Sequence, residues 1–491
     1  MLIKRFIGPW SSTSWVTTQT AFMQAFGFLL FAIQAPLLGP RPFGLMSIIM
    51  IFAGFVELVL GECATETLIS IPHTEPEHFS AMTTLCALAS ILFGAGIFAA
   101  AVPIARWFGE PQLVAVSRCM AVLPILSVIA APANAACKRD MRFRPLAIRT
   151  IVSLIAGGVV GVALTLLNYG VWALVWQVIT QKGLAAIMLW RATPLPFRFG
   201  SSMRHLRQFP ALALPLFVSR CMSWTSGSVP RFILGTFLGA NDLGVMSLAL
   251  RLSDIAVQVF LVPRYTVARV ALRQYTADRI GLTEAIDRLA FRYAVLSFPA
   301  CLGGAAVMPT LFHTWLDPRW YPGIVPAQML MLTCIPYVTI YTVGALLMSQ
   351  SEQRAEAWLE TIQTIGAVLA VCIAAPFGLM ASAAAVGARP FALLALPLMT
   401  AKKRCGIRAR QILKPQMPPL AAAIVMGVLV ALMQSALRPH LNGLVLLSVL
   451  IAAGAAIYAV MVALEFPHVA ARVVGGHIAT KKPRTRKVRE P

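Results

Sequence analysis

The chain has 491 residues, 58% of them hydrophobic and only 12% charged, with a mean hydropathy of +0.77. A soluble domain carries about a quarter charged residues, so this composition excludes an aqueous globule and indicates a polytopic membrane protein. The formal charge of +23 fits the concentration of Lys and Arg in cytoplasmic loops better than it fits a nucleic-acid partner.

The first ten residues carry Lys4 and Arg5 but no short apolar core ending in a small-residue cleavage site, so the N-terminus is expected to be retained. Apolar runs between proline, glycine and charge breaks then predict fourteen helices, at 16–38, 43–61, 81–105, 113–135, 147–168, 172–190, 211–238, 245–268, 289–312, 325–348, 356–375, 377–398, 418–436 and 442–464. Residues 80–104 and 441–464 contain no charge at all, and about 20 apolar residues suffice to cross a bilayer. Pro376 and Gly378 are nearly all that separates the eleventh helix from the twelfth. Placing the N-terminus in the cytoplasm puts 30 Lys and Arg on the inner side and only Arg41, Arg106, Arg319 and Arg438 outside. That asymmetry predicts both termini inside. The basic run 481–489 reads as an orientation signal resting on anionic lipid, and 197–209 and 269–292 as short interfacial helices.

An internal repeat stands out at an offset of 200. Leu38-Gly-Pro-Arg-Pro-Phe-Gly-Leu-Met-Ser47 matches Leu238-Gly-Ala-Asn-Asp-Leu-Gly-Val-Met-Ser247 at five of ten positions. Six helices lie between the copies, so both copies keep the same orientation, as in transporters built from parallel repeats that hold substrate between their halves. The expected fold is all-α, about 14 transmembrane helices in two parallel six-helix lobes plus two C-terminal helices. Its divisions would be 1–195, 196–405, 406–465 for the thirteenth and fourteenth helices, and 466–491 for a basic cytoplasmic tail.

Four further stretches carry a family resemblance. They are Val102-Pro-Ile-Ala-Arg-Trp-Phe-Gly-Glu-Pro-Gln-Leu113, Lys138-Arg-Asp-Met-Arg-Phe-Arg-Pro-Leu-Ala147, Tyr169-Gly-Val-Trp-Ala-Leu174, and Arg231-Phe-Ile-Leu-Gly-Thr-Phe-Leu-Gly239 followed by Leu243-Gly-Val-Met-Ser-Leu-Ala-Leu-Arg-Leu252. Over roughly residues 30–290 the chain resembles Wzx-type polysaccharide repeat-unit flippases of the MOP superfamily, nearest the colanic-acid or teichuronic-acid exporter type. The resemblance implies translocation of a polyprenyl-pyrophosphate-linked oligosaccharide across a bacterial inner membrane by alternating access. Membrane lipids, a polysaccharide polymerase and chain-length machinery would be its partners, with no nucleic acid and no cofactor. Two departures bear on ion coupling: Pro230 stands where the family usually has Asp, and the Asp-x-Gly turn ending the second helix is absent, with Gly61-Glu-Cys-Ala-Thr-Glu66 near it.

Ionisable side chains at membrane depth cost about 2.5–3.5 kcal/mol on insertion scales and so face cavities or partners. On the seventh helix Arg220, Trp224, Gly227 and Arg231 fall on one face, the two arginines about 16 Å apart along the axis. The eighth helix adds Ser247, Arg251, Asp254 and Gln258 as a stripe; Arg118 lies in the fourth helix and Arg389 in the twelfth. A cationic cavity between the lobes would suit a pyrophosphate, because guanidinium forks match phosphate oxygens. The bland alternatives are an Arg251–Asp254 pair at i, i+3 and an Arg220 that reaches for the interface. No nucleotide-binding, zinc-protease or serine-hydrolase motif occurs, and the outer loops are too short for a catalytic domain. The nine cysteines are scattered without a CxxC, and His73, Glu75, Glu77 and His78 read as a solvated turn rather than a metal site. Two other functions compete: a cation-coupled MATE-type drug exporter, disfavoured by arginines where a cationic drug would want acids, and a membrane polysaccharide polymerase or ligase, disfavoured by the lack of a large outer loop.

Overall fold

The structure, a computed structural model, describes residues 3–71, 75–193, 209–275 and 278–465. Within them every regular element is helical. Thirteen apolar helical segments are long enough to cross a membrane, and the longest, Leu216–Tyr275, turns at Gly239, so there are fourteen passages among the described residues. In chain order we label them α1 (Ile3–Leu38), α2 (Pro40–Ser70), α3 (Pro76–Trp107), α4 (Gln112–Arg139), α5 (Phe143–Leu166), α6 (Val171–Ala192), α7 (209–238) and α8 (240–275). The rest are α9 (Arg279–Trp315), α10 (Pro318–Ser349), α11 (Gln353–Phe377), α12 (Leu379–Cys405), α13 (Ala409–Leu437) and α14 (Gly443–Glu465). The chain is a multi-pass membrane protein.

Glycine makes most of the turns at one end of the bundle. Gly39, Gly109, Gly170, Gly239 and Gly378, each following an odd-numbered helix, all have φ between 59° and 95°, a region that side chains with a Cβ seldom enter. Gly39 and Gly239 repeat each other closely, with φ, ψ of 74°, 177° and 75°, 177°. The offset of 200 continues into the packing of α2 on α8. A Cβ on Gly44 would stand 1.6 Å from the Ala240 carbonyl oxygen, and one on Gly244 would stand 2.0 Å from that of Pro40. One turn further on, the Ser47 and Ser247 hydroxyls meet at 3.1 Å. The repeat is thus a pair of equivalent helix starts crossing backbone to backbone. In a bilayer, where water drives no association between apolar helices, such close approach is a main source of packing energy. Gly157 and Gly161 serve the same purpose where α5 meets α6 at Gln177, while Gly158 admits Leu30 and Phe26 of α1.

Two boundaries differ from expectation. The second helix does not stop at Gly61: it runs through a π-helical turn, Val56–Gly61, into Glu62–Ser70. Thr65 and Thr67 hydroxyls bond back to the Gly61 and Cys63 carbonyls, and Arg139 donates to the Ile71 carbonyl at the helix end (2.7 Å). The interfacial helix expected over 269–292 is likewise absent. That stretch is the end of α8 followed by the first turns of α9, which Asp278 caps through the Ile280 and Gly281 amides. Its amphipathic pattern marks a protein-facing side, since Leu282, Ile286, Ala290 and Tyr293 are buried in the core. The expected helix at 197–209 lies almost wholly outside the described residues, as does the tail 466–491.

Candidate functional site

Where α1, α2, α5 and α6 face α7 and α8, a cavity of about 470 Å³ lies within the bundle. Arg231, Arg251 and Asp254 all line it, so three of the sequence candidates converge. Each is solvent-exposed although its backbone sits mid-helix; the exposure is to the cavity. Arg251 does not pair with Asp254. Its guanidinium donates to the Gly27 carbonyl of α1 at 2.7 Å and lies over the Phe31 ring, 4.9 Å from the centroid. Arg231 makes no hydrogen bond or ion pair among the described residues, which leaves its donors for a ligand. Two guanidiniums against one carboxylate leave the lining with a net charge of +1.

Neutral polar groups that sequence reading missed complete the wall. Gln34 of α1 donates to Gln177 of α6 at 2.7 Å, and Gln181 and Ser228 stand nearby in the lining. Gln177 and Gln181, spaced i, i+4 on one helix, were the available signal; uncharged amides do not register in a search for charge.

The other four candidates lie elsewhere. Arg220 is not in the cavity: it sits between two carboxylates of α2, 2.7 Å from Glu62 and also paired with Glu66. Trp224 donates its indole N–H to the Ile51 carbonyl at 3.1 Å and sets its ring edge-on to Phe55. Together they fasten α7 to α2 on the Arg139 side of the cavity. Arg118 lies over Phe98, 5.2 Å from the ring centroid, and is remote from the lining. Arg389 ties α12 to α11 and α10 through the Gln363 carbonyl (3.1 Å) and the Tyr337 hydroxyl (3.0 Å). The single face expected of α7 therefore divides, Arg220 and Trp224 fastening it to α2 and Arg231 lining the cavity.

The opposite, Gly39 side is fastened by tryptophans. Pro36 has no N–H to give the Ala32 carbonyl, and the Trp315 indole supplies that donor at 2.8 Å. Trp320, fully buried, donates to Ala35 at 2.9 Å and packs against Phe31 and Phe43, both in the cavity wall. Ions and an indole thus join the helices on one side of the cavity, and indoles join them on the other. Replacing Arg220 by Glu would set three carboxylates against one another. We expect a larger fall in membrane-fraction protein than for Arg220→Gln, with partial recovery in Arg220→Glu/Glu66→Arg; equal abundance of all three would contradict the ion-pair role.

Among the described residues no three His, Cys, Asp or Glu side chains gather as a metal site. His78 instead accepts the Glu75 backbone N–H at the start of α3 (3.1 Å), and His73 lies outside the described residues.

This arrangement defines a class. The structure superposes on the lipid II flippase MurJ in an inward closed conformation with a TM-score of 0.74 at 13% identity, covering 92% of this chain and 99% of that one. It also superposes on an inward-facing MATE multidrug transporter of the MOP superfamily, at 0.58 and 15%, over 78% and 94% of the chains. The fold is that of these polytopic transporters. The chain belongs to the polysaccharide biosynthesis protein family, whose sequence profile matches residues 33–325. Among its relatives are the succinoglycan biosynthesis transport protein ExoT of Rhizobium meliloti, 24% identical over 293 residues, and the teichuronic acid biosynthesis protein TuaB of Bacillus subtilis, 20% identical over 302. Each match covers 60% of this chain, and 59% and 62% of the respective relative. Profile and relatives agree with the family resemblance of the motifs.

Proposed function

We propose that this protein moves a polyprenyl-pyrophosphate-linked oligosaccharide from the cytoplasmic to the outer leaflet of a bacterial inner membrane by alternating access, without chemistry on its cargo. The observation that carries the reading is the cavity within the bundle that Arg251 lines together with Arg231, whose guanidinium makes no hydrogen bond or close ion pair among the described residues. A guanidinium held ready inside the membrane suits a phosphate oxygen and repels a cationic drug, which makes the MATE-type reading the weaker one. Residues 1–195 and 196–405 would be the two moving lobes, with 406–465 as the appended pair and the basic tail 466–491 in the cytoplasm. Both termini would lie inside, by the 30-to-4 distribution of Lys and Arg. A polymerase and chain-length machinery would take up the cargo outside.

Deleting the gene tests this. Lipid-linked repeat units should accumulate and polymer should vanish from the cell surface; normal export from a strain with no redundant exporter would refute the proposal. Sidedness has its own check. Reporter fusions at Gly109, Asp317 and Asn442 should all read as periplasmic, and a cytoplasmic signal at Asp317 would break the fourteen-passage topology.

A further inference from the structure

The Gly39 end carries a second cavity, of about 530 Å³, whose chemistry differs from that of the first. It lies among the turns after α1, α3 and α5, with Asn241 of α8 and Arg319 of α10 completing its wall. We propose that this cavity is a carbohydrate site that takes the uncharged sugars of an oligosaccharide; the proposal rests on the transport reading above, in which this end is the exit side.

In the membrane cavity Arg231 makes no hydrogen bond or close ion pair; here each arginine holds a carboxylate just outside the lining. Arg41 holds Glu110 at 2.7 Å and Arg319 holds Asp317 at 2.8 Å. Those Arg319 hydrogen bonds keep the Asp317 carboxyl below the usual carboxylate range, so that pair stays ionised at neutral pH. An anion would compete with those carboxylates for the two guanidiniums. By contrast, the side chains of Gln112, Asn168, Tyr169 and Trp172 make no hydrogen bond among the described residues, although all four line the cavity. Two amides, a phenol and an indole N–H offer donors and acceptors in the mixture that sugar hydroxyls need. Tyr169, 56% exposed, adds an aromatic face for the apolar side of a pyranose. The backbone presents these groups through Asn168 and Gly170, at φ of 62° and 59°. The volume lies within the ~300–1,000 Å³ of small-ligand pockets. Because the walls come from helices on both sides of the α2–α8 crossing, sugars bound here would also bridge the two halves.

The test uses the full chain, purified into lipid nanodiscs and titrated with free maltotriose, cellotetraose and, for comparison, trigalacturonate. The neutral sugars should bind, and the acidic one more weakly. Tyr169→Ala/Gln112→Ala should weaken neutral-sugar binding at least tenfold while the melting temperature stays at the wild-type value, since both side chains are exposed and unbonded. Unchanged binding by the double variant, tighter binding of trigalacturonate, or no binding of any of the three would overturn the proposal. The gene-deletion assay reads transport without reference to free-sugar binding, so either proposal can fail alone.

Discussion

Arg231→Gln is expected to abolish translocation while leaving the protein inserted and abundant. The side chain has no intramolecular hydrogen bond to lose, and its head lies in the cavity rather than in packed protein. Removing it breaks no hydrogen bond or close ion pair, although Asp254 in the same lining loses a neighbouring positive charge. What disappears is one of the two positive charges that, on the proposed function, would face a pyrophosphate, where a charge-assisted hydrogen bond is worth about 1.5–3 kcal/mol. At two or more such bonds the loss reaches about 3–6 kcal/mol, roughly two to four orders of magnitude in rate. Arg231→Lys should retain part of the activity, because the charge survives and the bidentate fork does not. Surface polymer normalised to membrane-fraction protein distinguishes the cases. Full export by Arg231→Gln at normal abundance would remove the residue from the site.

The α2–α8 crossing should be the least forgiving place in the molecule. Gly44→Ala would drive a methyl to 1.6 Å from the Ala240 carbonyl oxygen, and Gly244→Ala to 2.0 Å from that of Pro40. Both obstacles are backbone in rigid helix starts, so relief requires moving one helix against the other. Overpacking costs about 1–3 kcal/mol even where side chains can yield, and more is expected here. Both variants should lose most of their folded protein, judged by monodispersity after detergent extraction. Gly227→Ala, whose Cβ would meet open space, is the matched control and should behave as wild type apart from any helix-propensity gain. Wild-type yield from Gly44→Ala would contradict the crossing geometry.

These two sites also show how far sequence reading reaches. The fourteen passages were legible because bilayer thickness sets the length of an apolar run. The repeat was legible because the same close crossing is built twice, forcing glycine at 44 and 244 and serine at 47 and 247. Arg231, Arg251 and Asp254 were legible because charge inside an apolar helix is conspicuous. Helical periodicity places residues on a face but does not say what that face meets, so Arg220 and Trp224 were grouped with Arg231 although they contact α2. Glu62 and Glu66 stand out in the sequence only as a departure from a family turn and not as partners of Arg220, since the π-turn that carries the helix past Gly61 has no clear signature in residue types. Contacts such as Trp315 with Ala32 join residues 283 apart and have no local pattern, even though Pro36 marks the carbonyl that needs a donor.

The most direct measurement of the central claim places the purified protein in liposomes with a fluorescent polyprenyl-pyrophosphate oligosaccharide and adds a membrane-impermeant quencher. With the wild-type chain, quenching should proceed past the outer-leaflet fraction until the inner pool is exhausted, whereas Arg231→Gln should stop where protein-free liposomes stop. Quenching confined to the outer leaflet with the wild-type chain, or equal loss of the inner pool with Arg231→Gln, would contradict an arginine-lined path for a lipid-linked saccharide.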